Sequence, residues 1–313
     1  MIVIDAHCDT LTTLKKQNRT LGERSNVGHV DLHKLRDGGV NVQFFAIYIE
    51  PIYGEERGIS RTLEIVDLFY QEYKQNSKQM ELAVCSNEIR NITRAGKVAA
   101  VLTIEGGEAL GGKLYMLPIY YKLGVRCITL TWNVRNSIAD GVSERFTGGG
   151  LTKFGREVVQ EMNKLGMLID VSHISEAGFW DVIDLSSDPI IATHSNCSNL
   201  CQHPRNLTDG QIKAIAKTNG VIGLTLVPQF IAENDPGLDK FLDHIDYIAN
   251  LVGTDFIGVG SDFDGCDHTI SEISNASEFH KISTGLSKRG YCDEDVYKIM
   301  GGNFMGVMDR VFK

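Results

Sequence analysis

The sequence GMLIDVSH, at residues 166–173, contains a short apolar run that stops at a polar pair. The run from Met167 to Val171 lacks the alternation of a strand that has one face in water, so it indicates a strand covered on both faces. Ser172 and His173 follow at its carboxyl end. The same arrangement recurs on both sides of this motif along the chain, and it indicates a parallel sheet with polar groups at the strand ends.

Eight runs of this kind are rich in Val, Ile and Leu and are bounded by Gly, Asp or Asn. They predict strands over residues 2–5, 42–49, 98–104, 127–131, 167–171, 190–193, 221–226 and 256–259. Helical spacing of apolar residues falls between them, at 61–75, 154–165 and 238–251. Thr208 is predicted to cap a further helix, with Gln211 at the capping-box position.

Strands that alternate with helices indicate a parallel sheet, and eight of them in 313 residues favour a (β/α)8 TIM-type barrel over an open doubly wound sheet. No Pro-rich or Ser-rich linker divides the chain, so we predict a single barrel domain over residues 1–313. The polar, glycine-bearing segments 15–40 and 133–150 are predicted to be loops over a site.

Composition limits the possible partners. With 31 Lys plus Arg against 40 Asp plus Glu, the net charge is −9, which argues against a nucleic-acid groove or an anionic membrane surface. The apolar runs are far shorter than the roughly 18 residues of a membrane span, and we expect no leader segment. Seven scattered cysteines favour reduced thiols, so the predicted location is cytoplasmic.

Metal-ligating groups follow five of the eight predicted strands. Taken singly, each has an ordinary explanation, such as a backbone-bonded histidine, a helix cap or, for GSDFDG at 260–265, a turn or a phosphate-binding nest. Together, three imidazoles and three carboxylates form the donor set that suits zinc and similar divalent metals. These groups are His7, Asp9, Glu105, His173, His194 and Asp262.

Six such groups exceed the ligands of one tetrahedral ion, so we predict two ions that share a carboxylate. A water between two such ions is acidic enough to be a hydroxide nucleophile near neutral pH, which points to hydrolysis. Glycines 106, 107, 260 and 265 are expected to let the backbone approach the ions. Arg205 could grip a substrate carboxylate, although a plain surface arginine is the alternative.

Five other histidines are expected to be surface or packing residues: His29, His33, His244, His268 and His280. His203 is less clear from its position, and it could shape the loop that also carries Arg205. Cys8 is expected to point away from the two ligands beside it, because side chains alternate along a strand.

Seven motifs in order, with a closing GGNF at 301–304, give the chain a family resemblance. It resembles the membrane dipeptidase (renal dipeptidase) family of zinc peptidases, in the amidohydrolase superfamily of metal-dependent barrels. The motifs are DAHCDT at 5–10, IEGG at 104–107, LGVR with TLT within 123–131, GMLIDVSH at 166–173, THSN at 193–196, HPRNLTD at 203–209 and GSDFDG at 260–265.

The resemblance implies a role for each matched residue. His7 and Asp9 would bind one zinc, His173 and His194 the other, and Glu105 would bridge the pair. Asp262 falls at the family's catalytic acid/base and Arg205 at the residue that contacts the substrate carboxylate. The implied substrate is a small dipeptide, and the family's usual homodimer is a further expectation.

One position departs from the family pattern. Better-known members carry a histidine after the TLT motif that helps to bind substrate and transition state, whereas this chain has Trp132. Tryptophan cannot supply a charged hydrogen bond, so Arg135 and Asn136 become candidates for that contact. The alternatives to a dipeptidase are hydrolysis of an N-acyl amino acid or a lactam and, in a different class, a barrel that binds peptides without turnover.

Overall fold

The computed structural model describes residues 1–313 and contains a sheet of nine strands. Eight of them follow the order β1-β2-β4-β5-β6-β7-β8-β9, all parallel, as a nearly closed barrel surrounded by helices. This confirms the predicted (β/α)8 fold. The strands are β1 Ile4–Cys8, β2 Val42–Tyr48, β3 Met80–Leu82, β4 Val98–Glu105, β5 Val125–Thr129, β6 Leu168–Asp170, β7 Ile190–Ala192, β8 Val221–Leu224 and β9 Ile257–Val259.

The short strand β3 was not predicted. It pairs with β4 only at residues 98–100, before the pairing of β4 with β5 begins at Leu102. The position of β1 also differs, because it runs from Ile4 to Cys8 instead of 2–5. Asp5 and His7 are polar but buried inside this strand, and polar residues were taken as the sign of a strand end.

Backbone and side-chain hydrogen bonds join β9 to β1 at the seam of the barrel. Asp262 N donates to His7 O at 3.2 Å and Asp9 N donates to Phe263 O at 2.9 Å. The buried carboxylate of Asp5 accepts from Ser261 N and from Ser261 Oγ, both at 2.7 Å. The first and last strands are therefore joined next to the residues that carry the predicted chemistry.

Helices cover the outside of the barrel. The three predicted helices are present as α3, α6 and α10, and Thr208 with Gln211 forms the predicted capping box at the start of α8. The α-helices are α1 Thr10–Thr13, α2 Leu32–Gly38, α3 Gly54–Gln75, α4 Ser86–Arg94, α5 Met116–Lys122, α6 Lys153–Leu165, α7 Glu176–Leu185, α8 Asp209–Lys217, α9 Pro228–Ile231, α10 Leu238–Val252, α11 His280–Lys288, α12 Asp293–Tyr297 and α13 Asn303–Val311.

Two apolar clusters form the core. The larger includes alternate strand residues such as Ala100 and Leu102 together with the covering helices. The smaller contains the opposite strand faces, such as Ala99 and Val101, and the apolar side of α13. Both faces of the sheet are therefore buried, as the unbroken apolar runs predicted. None of the helices combines the length and apolar character that a bilayer span requires.

Candidate metal centre

The predicted ligands converge at the carboxyl ends of the strands. His7 lies within β1, and Glu105 is the last residue of β4. His173, His194 and Asp262 follow β6, β7 and β9. Backbone geometry marks two of them, because His173 has φ 68° and Asp262 has φ 64°, a left-handed conformation uncommon outside glycine. Such strained positions cluster at functional sites, where the surrounding structure holds them.

The carboxylate of Glu105 contacts two sets of histidines. Its Oε2 lies 3.5 Å from Nε2 of His7. Its Oε1 lies 2.9 Å from Nε2 of His173 and 3.6 Å from Nε2 of His194. All four side chains are buried. Glu105 thus stands between His7 on one side and the other two imidazoles on the other.

The spacing of the donor atoms fits a divalent metal. Zinc binds nitrogen and oxygen at about 2.0–2.2 Å, so tetrahedral ligand atoms lie about 3.4 Å apart. Nε2 of His7 lies 3.3 Å from Oδ2 of Asp9, close to that spacing. Buried Nε2 of His7 and Oδ1 of Asp9 have no hydrogen-bond partner in the protein. Two sets of atoms, His7 with Glu105 and His194, and His7 with Asp9 and Asp262, each lie within 4.8 Å.

Neighbouring residues fix the orientation of two imidazoles. Nδ1 of His173 lies 2.7 Å from the acceptor Oδ1 of Asn133, so Nδ1 is the protonated nitrogen. Nδ1 of His194 lies 2.7 Å from Oγ1 of Thr193, whose one hydroxyl proton is directed to Asp170 Oδ2 at 2.5 Å. Both Nε2 atoms therefore carry lone pairs and face each other at 2.7 Å, an arrangement that a shared or neighbouring cation stabilises.

Sequence reasoning did not find these orienting residues. Asp170 accepts four hydrogen bonds: from Thr129 Oγ1, Ser172 N, and the N and Oγ1 of Thr193. The available signal was a lone carboxylate inside the apolar run LIDV. A charged residue that is buried in a strand requires partners, and those partners are what it positions.

Charge in the site agrees with a cation-binding role. Burial opposes ionisation of Glu105, yet the positive charge of the neighbouring His7 holds the pKa of its carboxyl well below the ordinary range. Burial and the nearby Glu105 raise the pKa of Asp9 to about 8. Burial lowers the pKa of His173 to about 4, which keeps its imidazole neutral and able to bind a metal.

A cavity of about 330 Å³ opens onto this cluster. Its wall includes Asp262 and Arg205, the two predicted substrate-handling residues. Burial raises the pKa of the Asp262 carboxyl, and the negative charge of Glu105 adds to this effect. Arg205 is only 5% exposed, so it is not a plain surface arginine. It donates to His194 O at 3.0 Å, while its buried Nε has no partner.

The position that departs from the family pattern also lines this cavity. The Trp132 ring lies 5.5 Å from the ring of Tyr48 and 6.1 Å from that of His173, centroid to centroid. The two candidates for the missing hydrogen bond do not line it: Arg135 pairs with Asp140, and Asn136 donates to Leu130 O and Glu108. Neither side chain is therefore placed to make that contact from the cavity wall.

The glycine prediction holds at one position of four. A Cβ at Gly265 would lie less than 3.0 Å from the carboxylates of Asp9 and Asp262, so this glycine makes room for the site. A Cβ at Gly106 would meet Glu108, one at Gly107 would meet Ile138, and one at Gly260 would meet Thr193. These three provide space for protein packing and do not face the predicted ions.

Among the other histidines, three have defined contacts near the site. His203 Nδ1 accepts from Arg205 N at 3.2 Å, so it shapes that loop as predicted. His244 is buried and accepts from Cys197 N at 3.1 Å, a packing role. His29 does more than expected, because its Nδ1 accepts from Asp264 N at 2.9 Å, beside Asp262. Cys8 is buried in the larger apolar cluster, away from the ligands.

Known proteins resemble this chain in both sequence and fold. The model of the membrane dipeptidase family, peptidase family M19, matches residues 1–313. The chain belongs to this family. Dipeptidase tcpJ of Claviceps purpurea is 32% identical over 296 residues, which cover 91% of this chain and 69% of the relative. Dipeptidase verJ of Clonostachys rogersoniana is 30% identical over 296 residues, which cover 91% of this chain and 76% of that protein.

Solved structures of the family superimpose on the whole barrel. Dipeptidase AC, an M19 metallopeptidase, gives a TM-score of 0.94 at 28% identity and covers 100% of this chain and 99% of its own. A metallopeptidase from Rhodobacter sphaeroides, bound to a phosphinate mimic of L-Ala-D-Ala, gives 0.93 at 27% identity, covering 99% of both chains. This member of the M19 family is therefore a dipeptidase with a metallopeptidase fold.

Proposed function

We propose that this M19 dipeptidase hydrolyses small dipeptides with a free carboxylate, using two zinc ions. The observation that carries the proposal is the position of Glu105, whose two oxygens face different histidines. A carboxylate that bridges two ions needs this arrangement, with one oxygen directed to each. Nε2 of His7 and Oδ1 of Asp9 are buried and have no hydrogen-bond partner, so they supply a second place where a metal could bind.

In this proposal His7 and Asp9 would hold one ion, His173 and His194 would hold the other, and Glu105 would contact both. The ions would polarise the scissile carbonyl and would make a water at the site acidic enough to attack it near neutral pH. Burial keeps the imidazoles of His173 and His194 neutral, and contacts with Asn133 and Thr193 hold them in the tautomer whose Nε2 can bind a metal.

Asp262 is the proposed general base and acid. Its carboxylate lies at the cavity wall near Asp9 and His7, where it can accept a proton from the attacking water. The same group then donates that proton to the amine that leaves. Burial raises the pKa of Asp262, and a carboxyl with a raised pKa is a better proton carrier near neutral pH.

Arg205 is the proposed contact for the substrate carboxylate. Its guanidinium is buried in the cavity wall and anchored to His194 O, so its position is fixed relative to a metal ligand. The unpartnered Nε remains a donor for an anionic group. The size of the cavity, about 330 Å³, is at the small end of ligand sites, which suits a dipeptide better than a longer chain.

Metal analysis together with a substrate panel tests this proposal. We expect two zinc ions per chain and turnover of L,L or L,D dipeptides; the Rhodobacter relative binds a mimic of an L,D pair. Two zinc ions with turnover only of N-acyl amino acids or lactams would replace the dipeptide proposal. Stoichiometric peptide binding without turnover would indicate a binding protein instead.

Replacement of the proposed base gives the first prediction. Asp262→Asn should retain metal and lose about 100- to 10,000-fold in kcat, the usual contribution of a positioned proton-transfer group. Asp267→Asn is a matched control, because Asp267 is exposed on the same loop. Turnover by Asp262→Asn near the native rate, at equal metal content, would show that Asp262 is not the base.

The expectations about partners and location are proposals of the same kind. We propose a cytoplasmic protein that binds neither nucleic acid nor membranes, in keeping with its charge of −9. A homodimer is the proposed assembly. Sedimentation at several protein concentrations tests it, and a concentration-independent monomer would contradict it.

A further inference from the structure

A buried ion pair lies behind the loop that carries Asp262. Nη2 of Arg19 donates to Oδ2 of Asp264 at 2.7 Å, and the two side chains are only 4% and 2% exposed. The same rim segment contains an ordinary ion pair, Arg24 with Asp37, also at 2.7 Å but 55% and 45% exposed. An exposed pair contributes little, whereas a buried one needs a full set of hydrogen bonds to offset its desolvation.

Asp264 has that full set. Its Oδ2 also accepts from Thr10 Oγ1 at 2.7 Å, and its Oδ1 accepts from His29 N at 2.7 Å. In return, the backbone N of Asp264 donates to Nδ1 of His29 at 2.9 Å. One carboxylate thus joins the segment after β1, the rim segment 15–40 and the loop after β9.

Arg19 organises the rim segment around this carboxylate. Its guanidinium donates to Val30 O at 2.5 Å, to Thr13 Oγ1 at 3.1 Å and to Gln17 Oε1 at 2.6 Å. The segment is irregular over residues 15–31 and then enters α2, so the prediction of a loop over 15–40 is wrong for its second part. Arg19 joins the irregular part to the loop after β9 through Asp264.

Two connections lead from this pair to the reacting groups. Asp264 has φ 63° and follows Asp262, with φ 64°, after one residue, so the two share one strained loop. Thr10, which Asp264 holds, directly follows Asp9. Asp264 thus sets the backbone of a proposed metal ligand and of the proposed base at the same time.

We propose that Arg19 and Asp264 are positioning residues, which hold Asp9 and Asp262 in their relative positions. Through the same contacts they couple those positions to the order of rim segment 15–40. The inference rests on the proposed function for the role of Asp262. Its effect on kcat follows from geometry, because displacement of a catalytic group by about 1 Å can reduce the rate about 100-fold.

Four variants of the full-length protein, assayed with saturating zinc, test the inference. Asp264→Asn keeps the size of the side chain but removes its charge, and we expect kcat to fall about 100-fold with KM changed by less than about threefold. Arg19→Lys keeps the charge but not the planar set of donors, so an intermediate loss is expected. Arg24→Gln and Asp37→Asn, in the exposed pair, should behave as the native protein does.

Two further measurements do not depend on turnover. Zinc affinity, measured by competition with a chelator, should fall about tenfold in Asp264→Asn because Asp9 loses its register. Trypsin should cleave the rim segment faster in Asp264→Asn and Arg19→Lys than in the control Asp37→Asn, which keeps every Lys and Arg of the segment. If Asp264→Asn does not fold, Arg19→Lys and Arg19→Gln decide the question by the same measurements.

Native kcat and native zinc affinity in folded Asp264→Asn or Arg19→Lys, with only a lower melting temperature, would overturn the inference. The pair would then be merely structural. If the native protein hydrolyses no dipeptide, the proposed function fails separately. Zinc affinity and proteolysis then decide the inference, which fails if both variants match the controls.

Discussion

Asp170 offers the sharpest test of how the site is held, because it touches no proposed substrate. Its Oδ2 accepts hydrogen bonds from two hydroxyl groups, that of Thr129 at 2.6 Å and that of Thr193 at 2.5 Å. Thr193 in turn orients His194. In Asp170→Asn an amide nitrogen can occupy the position of Oδ2, so both hydroxyls must turn and the bonds lose their charge.

The magnitude follows from those two bonds. A hydrogen bond to a charged group contributes about 1.5–3 kcal/mol and a neutral one about 1 kcal/mol, so the free energy of unfolding should fall by about 1–4 kcal/mol. Loss of an outer partner of a ligating histidine commonly costs about 10- to 100-fold in metal affinity. We expect Asp170→Asn to show both effects.

Urea denaturation measures the first effect, and competition with a zinc chelator measures the second. Thr129→Val is the matched control, because it removes one hydroxyl from Asp170 but leaves the Thr193–His194 contact in place. That variant should lose stability and keep native metal affinity. Native metal affinity in folded Asp170→Asn would refute the view that Asp170 acts on His194 through Thr193.

Two further predictions follow from packing and burial. Gly265→Ala should lower kcat/KM about 100-fold without unfolding the protein, because the new Cβ would displace Asp9 and Asp262. Gly210→Ala is the control, because its Cβ would lie 3.7 Å from its nearest neighbour and should leave kcat/KM unchanged. Equal kcat/KM values in the two variants would contradict the prediction. Burial lowers the pKa of His244 below its ordinary value of 6.5, so the stability from its neutral ring is lost as pH falls through 6.5 toward the lower folded-state pKa. As the pH falls through this range, the melting temperature of the native protein should fall more than that of His244→Asn. Equal falls in the two proteins would contradict the prediction.

The sequence predicted the barrel because apolar runs mark strands that are covered on both faces. It was less successful where a buried strand is polar or very short. Asp5 and His7 lie inside β1, and Glu105 ends β4 as a strand residue. The three residues of β3 are too few to show any periodicity.

The candidate site was predictable for a different reason. Parallel strands all present their carboxyl ends at one rim, so residues that follow different strands must meet. The contacts that orient them were not predictable, because Asn133, Thr193 and Asp170 act through hydrogen bonds that depend on tertiary geometry. Glycine roles failed for the same reason, since a sequence does not show which neighbour a missing Cβ would meet.

The distribution of the proposed ligands over the barrel has a consequence for folding. His7 comes from the first half of the chain and His194 from the second, and β1, which carries His7, lies at the seam with β9. In the proposed arrangement the two ions, joined through Glu105, would together link these distant parts of the polypeptide, and such cross-links reduce the entropy of the unfolded chain most when the enclosed loop is long. Loading of the metal site would therefore raise the stability of the barrel as well as complete the catalytic centre.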